Sequence, residues 1–310
     1  MRKINAIYYH RVDFDGVFSA FVASKFWETT GELFECIPFN YNETVPDLNY
    51  IKGNFKTITM IDISFPTSFM IDLIREFGKE NIIWIDHHIT SIRESEANGY
   101  SDLYGIRSVG YKGACELAWE FYFPNLKVPK IIQYISANDT WDKSRFSWTN
   151  TMAIQSALRA EFGVSYNKIY AVKDSIVSDL YLETYLLPKG KTIMGYLSGK
   201  WKSQVKNASF EITVAGRLRG LAMLTPDFSS AIFESALKDG YQVFCVCNIK
   251  KDAPGQLFSV SLYSEPDGRL GDFELGEYMK QNYSGGGHKC AAGGLLNGTQ
   301  FCRLVFEKVI

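Results

Sequence analysis

The chain is short of histidine, of paired cysteines and of any excess of one charge. Only four of its 310 residues are histidine. Its six cysteines (Cys36, Cys115, Cys245, Cys247, Cys290 and Cys302) include no CxxC pair and no regular spacing, which argues against a zinc ribbon or a disulfide framework. Cys245 and Cys247 share a face of the apolar run YQVFCVCNI and read as ordinary buried thiols. Lys plus Arg number 33 against 34 for Asp plus Glu, a formal net charge of −1. A protein that grips a long nucleic acid through many phosphates carries a basic excess or stripe, so short anionic substrates are expected instead. No apolar stretch approaches the ~18 residues of a membrane span. The opening INAIYYH is too short for the apolar region of a signal peptide, and a cytoplasmic, reducing setting is the expectation.

What is present is ordinary in amount and telling in placement. Hydrophobic residues make up 46% and charged residues 22%, as in soluble globular proteins, and the length suits two domains. Every histidine falls in one of three short motifs: His10 in HRVDFDG, His87 and His88 in IDHHIT, and His288 in GGGHKCAAGG.

In the first half, short apolar runs alternate with helical patterns. Ile4–Tyr9, Thr57–Ile63 and Asn81–Ile85 read as strands, each ending at a motif. Val17, Phe18, Phe21, Val22 and Phe26 form a helical stripe after the first, and FMIDLIREFG is amphipathic after the second. Such units predict a doubly wound, mainly parallel sheet, with ligands at the carboxyl ends of its strands. Pro188 and Gly190 are expected to break the chain. Beyond them Ile193, Leu197, Trp201 and Val205 recur every four residues as a linker helix, although Gly195 and Gly199 cost about 1 kcal/mol each relative to alanine. FEITVAG, YQVFCVCNI and LFSVSLYS then read as strands of a second, smaller α/β domain. The expected division is 1–186, a linker helix at 187–208, and 209–310.

Asp13 and Asp15 lie two apart after a strand, so an extended chain points both carboxylates the same way, with an imidazole from His10 beside them. Taken alone, an acidic loop with a histidine is more often a solvated turn or a helix cap. Asp62 ends TITMIDI at another strand, where the plain alternative is an N-cap for the helix after Pro66. Asp86-His87-His88 at the end of a buried strand would be costly to desolvate without partners. Asp139 in YISANDTWD completes the set, with Asp142 as an alternative. Nitrogen and carboxylate oxygen together suit Mn2+, with Mg2+, Co2+ or Fe2+ as alternatives. Two ions roughly 3.5–4 Å apart can share a bridging carboxylate and activate water for in-line attack at phosphorus. No GxSxG or activated-cysteine pattern competes for that role.

His10-x-x-Asp13-x-Asp15-Gly16, Asp62, Asp86-His87-His88, Asp139 and Gly285-Gly286-Gly287-His288, in that order along nearly the whole chain, resemble the DHH/DHHA1 phosphoesterases. That family includes nano-RNA and cyclic-dinucleotide phosphodiesterases. The resemblance implies His10 and Asp13 on one metal, Asp15, His87 and Asp139 on the other, and Asp62 bridging them. It implies two catalytic residues beside the metals, Asp86 orienting a histidine and His88 contacting the substrate phosphate.

The glycine run permits backbone N–H groups to form an anion nest, with a helix or turn packed close behind. Gly286, Gly287, His288 and Lys289 are therefore the candidate substrate-binding residues, although a glycine run alone is more often a flexible turn. Where many family members carry Arg-Ser on the preceding strand, this chain has Tyr263-Ser264, and a phenol cannot replace a bidentate guanidinium. Arg217 and Arg219 are a further source of charge, and Trp141 a further stacking surface.

The reading is a metal-dependent phosphodiesterase that cleaves short oligonucleotides or linear dinucleotides to nucleoside monophosphates by attack of a metal-bridging hydroxide. The alternatives are a phosphomonoesterase or pyrophosphatase on small substrates, and a silent nucleotide-binding module. No membrane or long nucleic acid is expected as a partner, and a homodimer is left open.

Overall fold

The computed structural model describes residues 3–41, 43–226, 230–250, 257–287 and 289–306. Contacts divide the chain into two units, Met1–Met194 and Gly195–Ile310. Among the described residues no helix is long and apolar enough to cross a membrane.

The first unit is built on four strands: β1 (Ile4–His10), β2 (Phe34–Phe39), β3 (Phe55–Ile61) and β4 (Ile82–Ile85). They pair in the order β2-β1-β3-β4, all parallel. Alternation along each strand sends one set of side chains to either face. Ile7, Tyr9, Ile61 and Ile85 pack with the helices Phe14–Thr29, Ala114–Tyr122, Lys130–Asp139 and Trp148–Phe162. Ala6, Tyr8, Ile58, Met60 and Trp84 pack on the other side with Met70 and Leu73 of the helix Thr67–Phe77. Both faces are thus covered, as an all-parallel sheet requires.

Two local expectations are corrected and one strand is added. Helix Phe14–Thr29 is not striped: its buried residues run without interruption from Phe14 to Ser24, because it lies between the sheet and further helices. Strand β2 is not apparent from the sequence, since Pro38 and its half-exposed edge position hide the apolar alternation. Pro188 and Gly190 do not break the chain. The backbone stays helical from Asp179 to Ala208, with a π turn over Leu182–Leu186 preceding the helix Leu187–Ala208. A proline lacks the N–H that would bond four residues back and clashes with that carbonyl, and the wider π turn relieves both demands. Gly190 is required by packing: a methyl there would sit on the Ala153 carbonyl oxygen.

The second unit holds a six-stranded mixed sheet: β5 (Ser209–Val214), β6 (Leu218–Leu224), β7 (Val243–Lys250), β8 (Leu257–Tyr263), β9 (Gly286–Gly287) and β10 (Ala291–Asn297). The order is β5-β6-β7-β8-β10-β9, and only β6 and β7 pair in parallel. The small residues after the glycine run form β10, and the helix Leu275–Tyr283 packs close against it through Leu275 and Met279. Alanine and glycine let β9 and β10 approach closely, and a methyl on Gly287 would meet the Ala291 carbonyl oxygen.

Candidate metal centre

Register puts the predicted ligands side by side. Tyr9, Ile61 and Ile85 are abreast on β1, β3 and β4, so His10, Asp62 and Asp86 follow one another along the carboxyl edge of the sheet. Strand order reverses about β1, which places His10 and Asp62 at the switch point where open α/β sheets bind ligands. Asp13 caps the helix Phe14–Thr29, its Oδ1 accepting from the Gly16 N–H at 2.9 Å. Asp15, in the first turn of that helix, accepts from the N–H groups of Ala114 at 2.6 Å and Cys115 at 3.0 Å.

The side chains converge in three sets whose ligand atoms lie within 4.8 Å of one another: His10, Asp13 and Asp62; Asp15, His87 and Asp139; and Asp62, His87 and His88. Asp62 belongs to both ends. Its Oδ2 is 3.5 Å from His10 Nδ1 and its Oδ1 is 3.3 Å from His87 Nε2. His87 Nε2 is also 3.2 Å from Asp139 Oδ2 and 3.6 Å from Asp15 Oδ2. Asp142 is engaged elsewhere, its Oδ1 accepting from the Ser144 N–H at 3.0 Å. Asp62 is not the cap of the helix after Pro66, which has none from a side chain. It holds a left-handed φ of 61°, a strained backbone for a residue other than glycine.

Electrostatics explain why this cluster calls for cations. Asp62 and Asp139 have carboxyl pKa values raised well above the ordinary range, by desolvation first and then by repulsion from Asp15. Desolvation works against a charged His10, yet Asp13 and Asp62 outweigh it and push the imidazole up to about 10. Without other cations, protons must hold the carboxylates together; divalent ions do so with more charge. The donor set fits such ions on an independent count. Asp62 Oδ1 and His10 Nδ1 are buried and make no hydrogen bond among the described residues, although His10 Nδ1 lies 2.8 Å from Asp13 Oδ2.

Asp86 is fully buried and has a different task. Its Oδ1 accepts from the N–H groups of His87 at 2.8 Å and His88 at 3.1 Å, and lies 2.7 Å from His88 Nδ1. Its Oδ2 accepts from Trp84 Nε1 at 3.2 Å. With Nδ1 so engaged, the half-buried His88 has Nε2 as its remaining nitrogen.

In the second unit Gly286, Gly287 and the exposed Lys289 lie on or beside the β9–β10 hairpin, whereas His288 is outside the described residues. Tyr263 ends β8, and the Ser264 hydroxyl donates to the Gln242 carbonyl at 2.7 Å. Arg219 pairs with Glu211 at 2.6 Å, and Arg217 lies over the Phe273 ring at 5.2 Å. Trp141 packs on Trp148 with 5.6 Å between centroids.

Sequence reasoning missed the segment that holds Asp15. Gly113, Ala114 and Cys115 act through backbone N–H groups and through smallness; a methyl on Gly113 would come within 2.7 Å of Asp15 Oδ1. Nothing in their side chains announces a site. A glycine followed by two small residues at a helix start was the one available signal.

No family model matches the chain, and no curated protein sequence matches it. Solved structures do. A pGpG-specific phosphodiesterase, PggH from Vibrio cholerae, aligns with TM-score 0.55 and 15% identity over 97% of this chain and 96% of its own. The DHH domain of a member of a family of ribosomal proteins aligns with TM-score 0.61 and 14% identity over 97% of this chain and 84% of its own. CDC45 from Entamoeba histolytica aligns with TM-score 0.51 and 11% identity over 97% of this chain and 94% of its own. The parallel sheet, the motifs along its carboxyl edge and these likenesses agree: the chain has the DHH-type α/β fold.

Proposed function

We propose that the protein is a metal-dependent phosphodiesterase acting on short oligonucleotides or linear dinucleotides and releasing nucleoside monophosphates. The observation that carries this reading is Asp62, which turns one carboxylate oxygen toward His10 and the other toward His87. His10 and Asp13 would hold one ion, and Asp15, His87 and Asp139 the other, with Asp62 between them. Two divalent ions so held, Mn2+ first among the candidates, supply a water of lowered pKa and neutralise charge at phosphorus. Asp86 fixes the His88 ring and favours its protonated form, whose Nε2–H donates to a phosphoryl oxygen as charge builds there. The net charge of −1 favours substrates with few phosphates. The shared fold of a pGpG-specific phosphodiesterase supports a dinucleotide-sized substrate.

One observation favours a smaller substrate. Tyr263-Ser264 offers no guanidinium, and the Ser264 hydroxyl is spent on a backbone carbonyl. The discriminating experiment assays the purified protein with Mn2+ on a linear dinucleotide, a bisphosphonucleotide and pyrophosphate in parallel. Turnover of the dinucleotide alone is expected. Turnover confined to pyrophosphate or the bisphosphonucleotide selects the phosphomonoesterase or pyrophosphatase reading, and nucleotide binding without turnover selects a silent module.

A further inference from the structure

The two halves of the cluster are not built alike. Asp15 has a wholly buried side chain with two backbone donors at the start of the helix Ala114–Tyr122. That helix start is tied at two points to the segment carrying Asp139. Ser136, one turn before Asp139 on the helix Lys130–Asp139, accepts the Gly113 N–H on its Oγ at 2.9 Å. Beyond Asp139, Arg145 reaches back with both terminal guanidinium nitrogens to Glu116 in the first turn of Ala114–Tyr122, at 2.7 and 2.9 Å. Glu116 is 5% exposed in its side chain, so the fork is shielded from water on one side and is stronger than a surface pair. Asp15 and Asp139 therefore hang from one braced frame, closed by two contacts far apart in sequence. Asp13 caps the helix that carries Asp15, but among the described residues no comparable pair of side-chain ties braces its segment. Asp13 has 35% of its side chain exposed and accepts one backbone N–H, from Gly16.

Resting on the two-metal reading, we propose that Ser136 and the Glu116–Arg145 pair are positioning residues that make the Asp15–His87–Asp139 position the tighter of two unequal metal positions. Ligands already held in place lose less freedom when an ion binds, so the braced position fills first. The His10–Asp13 position fills second and exchanges more readily. Partners behind metal ligands typically alter affinity by about 10–100-fold when removed.

Calorimetric titration of the metal-free protein with Mn2+ tests this, with circular dichroism on every variant to establish folding. The wild type is expected to show two classes of one ion each, separated by about tenfold or more in affinity. Ser136→Ala and Glu116→Gln should each weaken the tighter class by about tenfold and leave the weaker one in place. Ser136→Thr, which keeps the hydroxyl, should retain the wild-type isotherm. Asp13→Asn should remove the weaker class alone. Should Ser136→Ala fail to fold, Arg145→Lys, which keeps the charge and loses the fork, gives the same reading in milder form. Two equal ions in the wild type, or variants that weaken both classes alike, overturn the proposal while leaving the two-metal reading intact. Uptake of fewer than two ions overturns both.

Discussion

At the scale of the residue, Asp62 concentrates the conflict between folding and metal binding. It is 1% exposed, adopts a left-handed backbone and carries a carboxyl group repelled by Asp15 and Asp13. Asparagine tolerates that backbone and removes the charge. Asp62→Asn is therefore expected to raise the melting temperature of the metal-free protein at neutral pH and to abolish both metal loading and turnover. Differential scanning calorimetry in chelator, together with metal analysis, checks both halves; a loss of stability in chelator would contradict the electrostatic account. Protonation gives a second residue-scale expectation. His10 titrates at about 10 in the folded protein against 6.5 as its ordinary value, so its contribution is complete below 6.5 and lost as pH rises toward 10. Asp62 and Asp139, with raised carboxyl pKa values, act in the same sense from the carboxylate range upward. The metal-free protein should melt at progressively lower temperature across that window. Saturating Mn2+ should flatten or invert the trend, because the ion displaces those protons. A metal-free stability that rises with pH contradicts it.

At the scale of the element, close approach governs what the helices tolerate. Gly190→Ala would press a methyl onto the Ala153 carbonyl and is expected to cost about 1–3 kcal/mol, read as a shift in the urea midpoint. An unchanged midpoint would show that the two helices part without penalty. The same scale separates what could be read from sequence from what could not. The carboxyl ends of β1, β3 and β4 were legible because three buried apolar runs each stop at carboxylates or imidazoles, and the coincidence of the three, not any one stop, points to a site. Helix Phe14–Thr29 was legible as a helix but not as an enclosed one, since a stripe and an all-round core differ by a few small residues such as Ala20 and Ala23. Strand β10 was hidden by the Ala-Ala-Gly-Gly stretch, which has little strand propensity and is held by pairing with β8 and β9. The cradle of Asp15 was barely legible, because backbone N–H groups supply it and nearly every residue type has one; only the small residues at that helix start marked it.

At the scale of the whole molecule, a chain of net charge −1 cannot rely on a broad field to gather substrate. On the proposed reading, attraction would come from ions within the cluster and act on one or two phosphates. Affinity for single strands falls with log salt at about −0.7 per phosphate neutralised. The kcat/KM for a linear dinucleotide should then fall less than about tenfold over a fourfold rise in salt. A steeper fall, or a specificity constant that climbs with oligonucleotide length, would point to an extended binding surface that this charge balance does not provide. The fold shared with DHH-type structures is compatible with many substrates, so the chemistry has to be argued from the cluster itself.

The most direct test of that cluster is anomalous scattering at the manganese edge from crystals grown with Mn2+. The account predicts two peaks flanking the Asp62 carboxylate, one beside His10 and Asp13 and the other beside Asp15, His87 and Asp139. A single peak, or none within reach of Asp62, would contradict it.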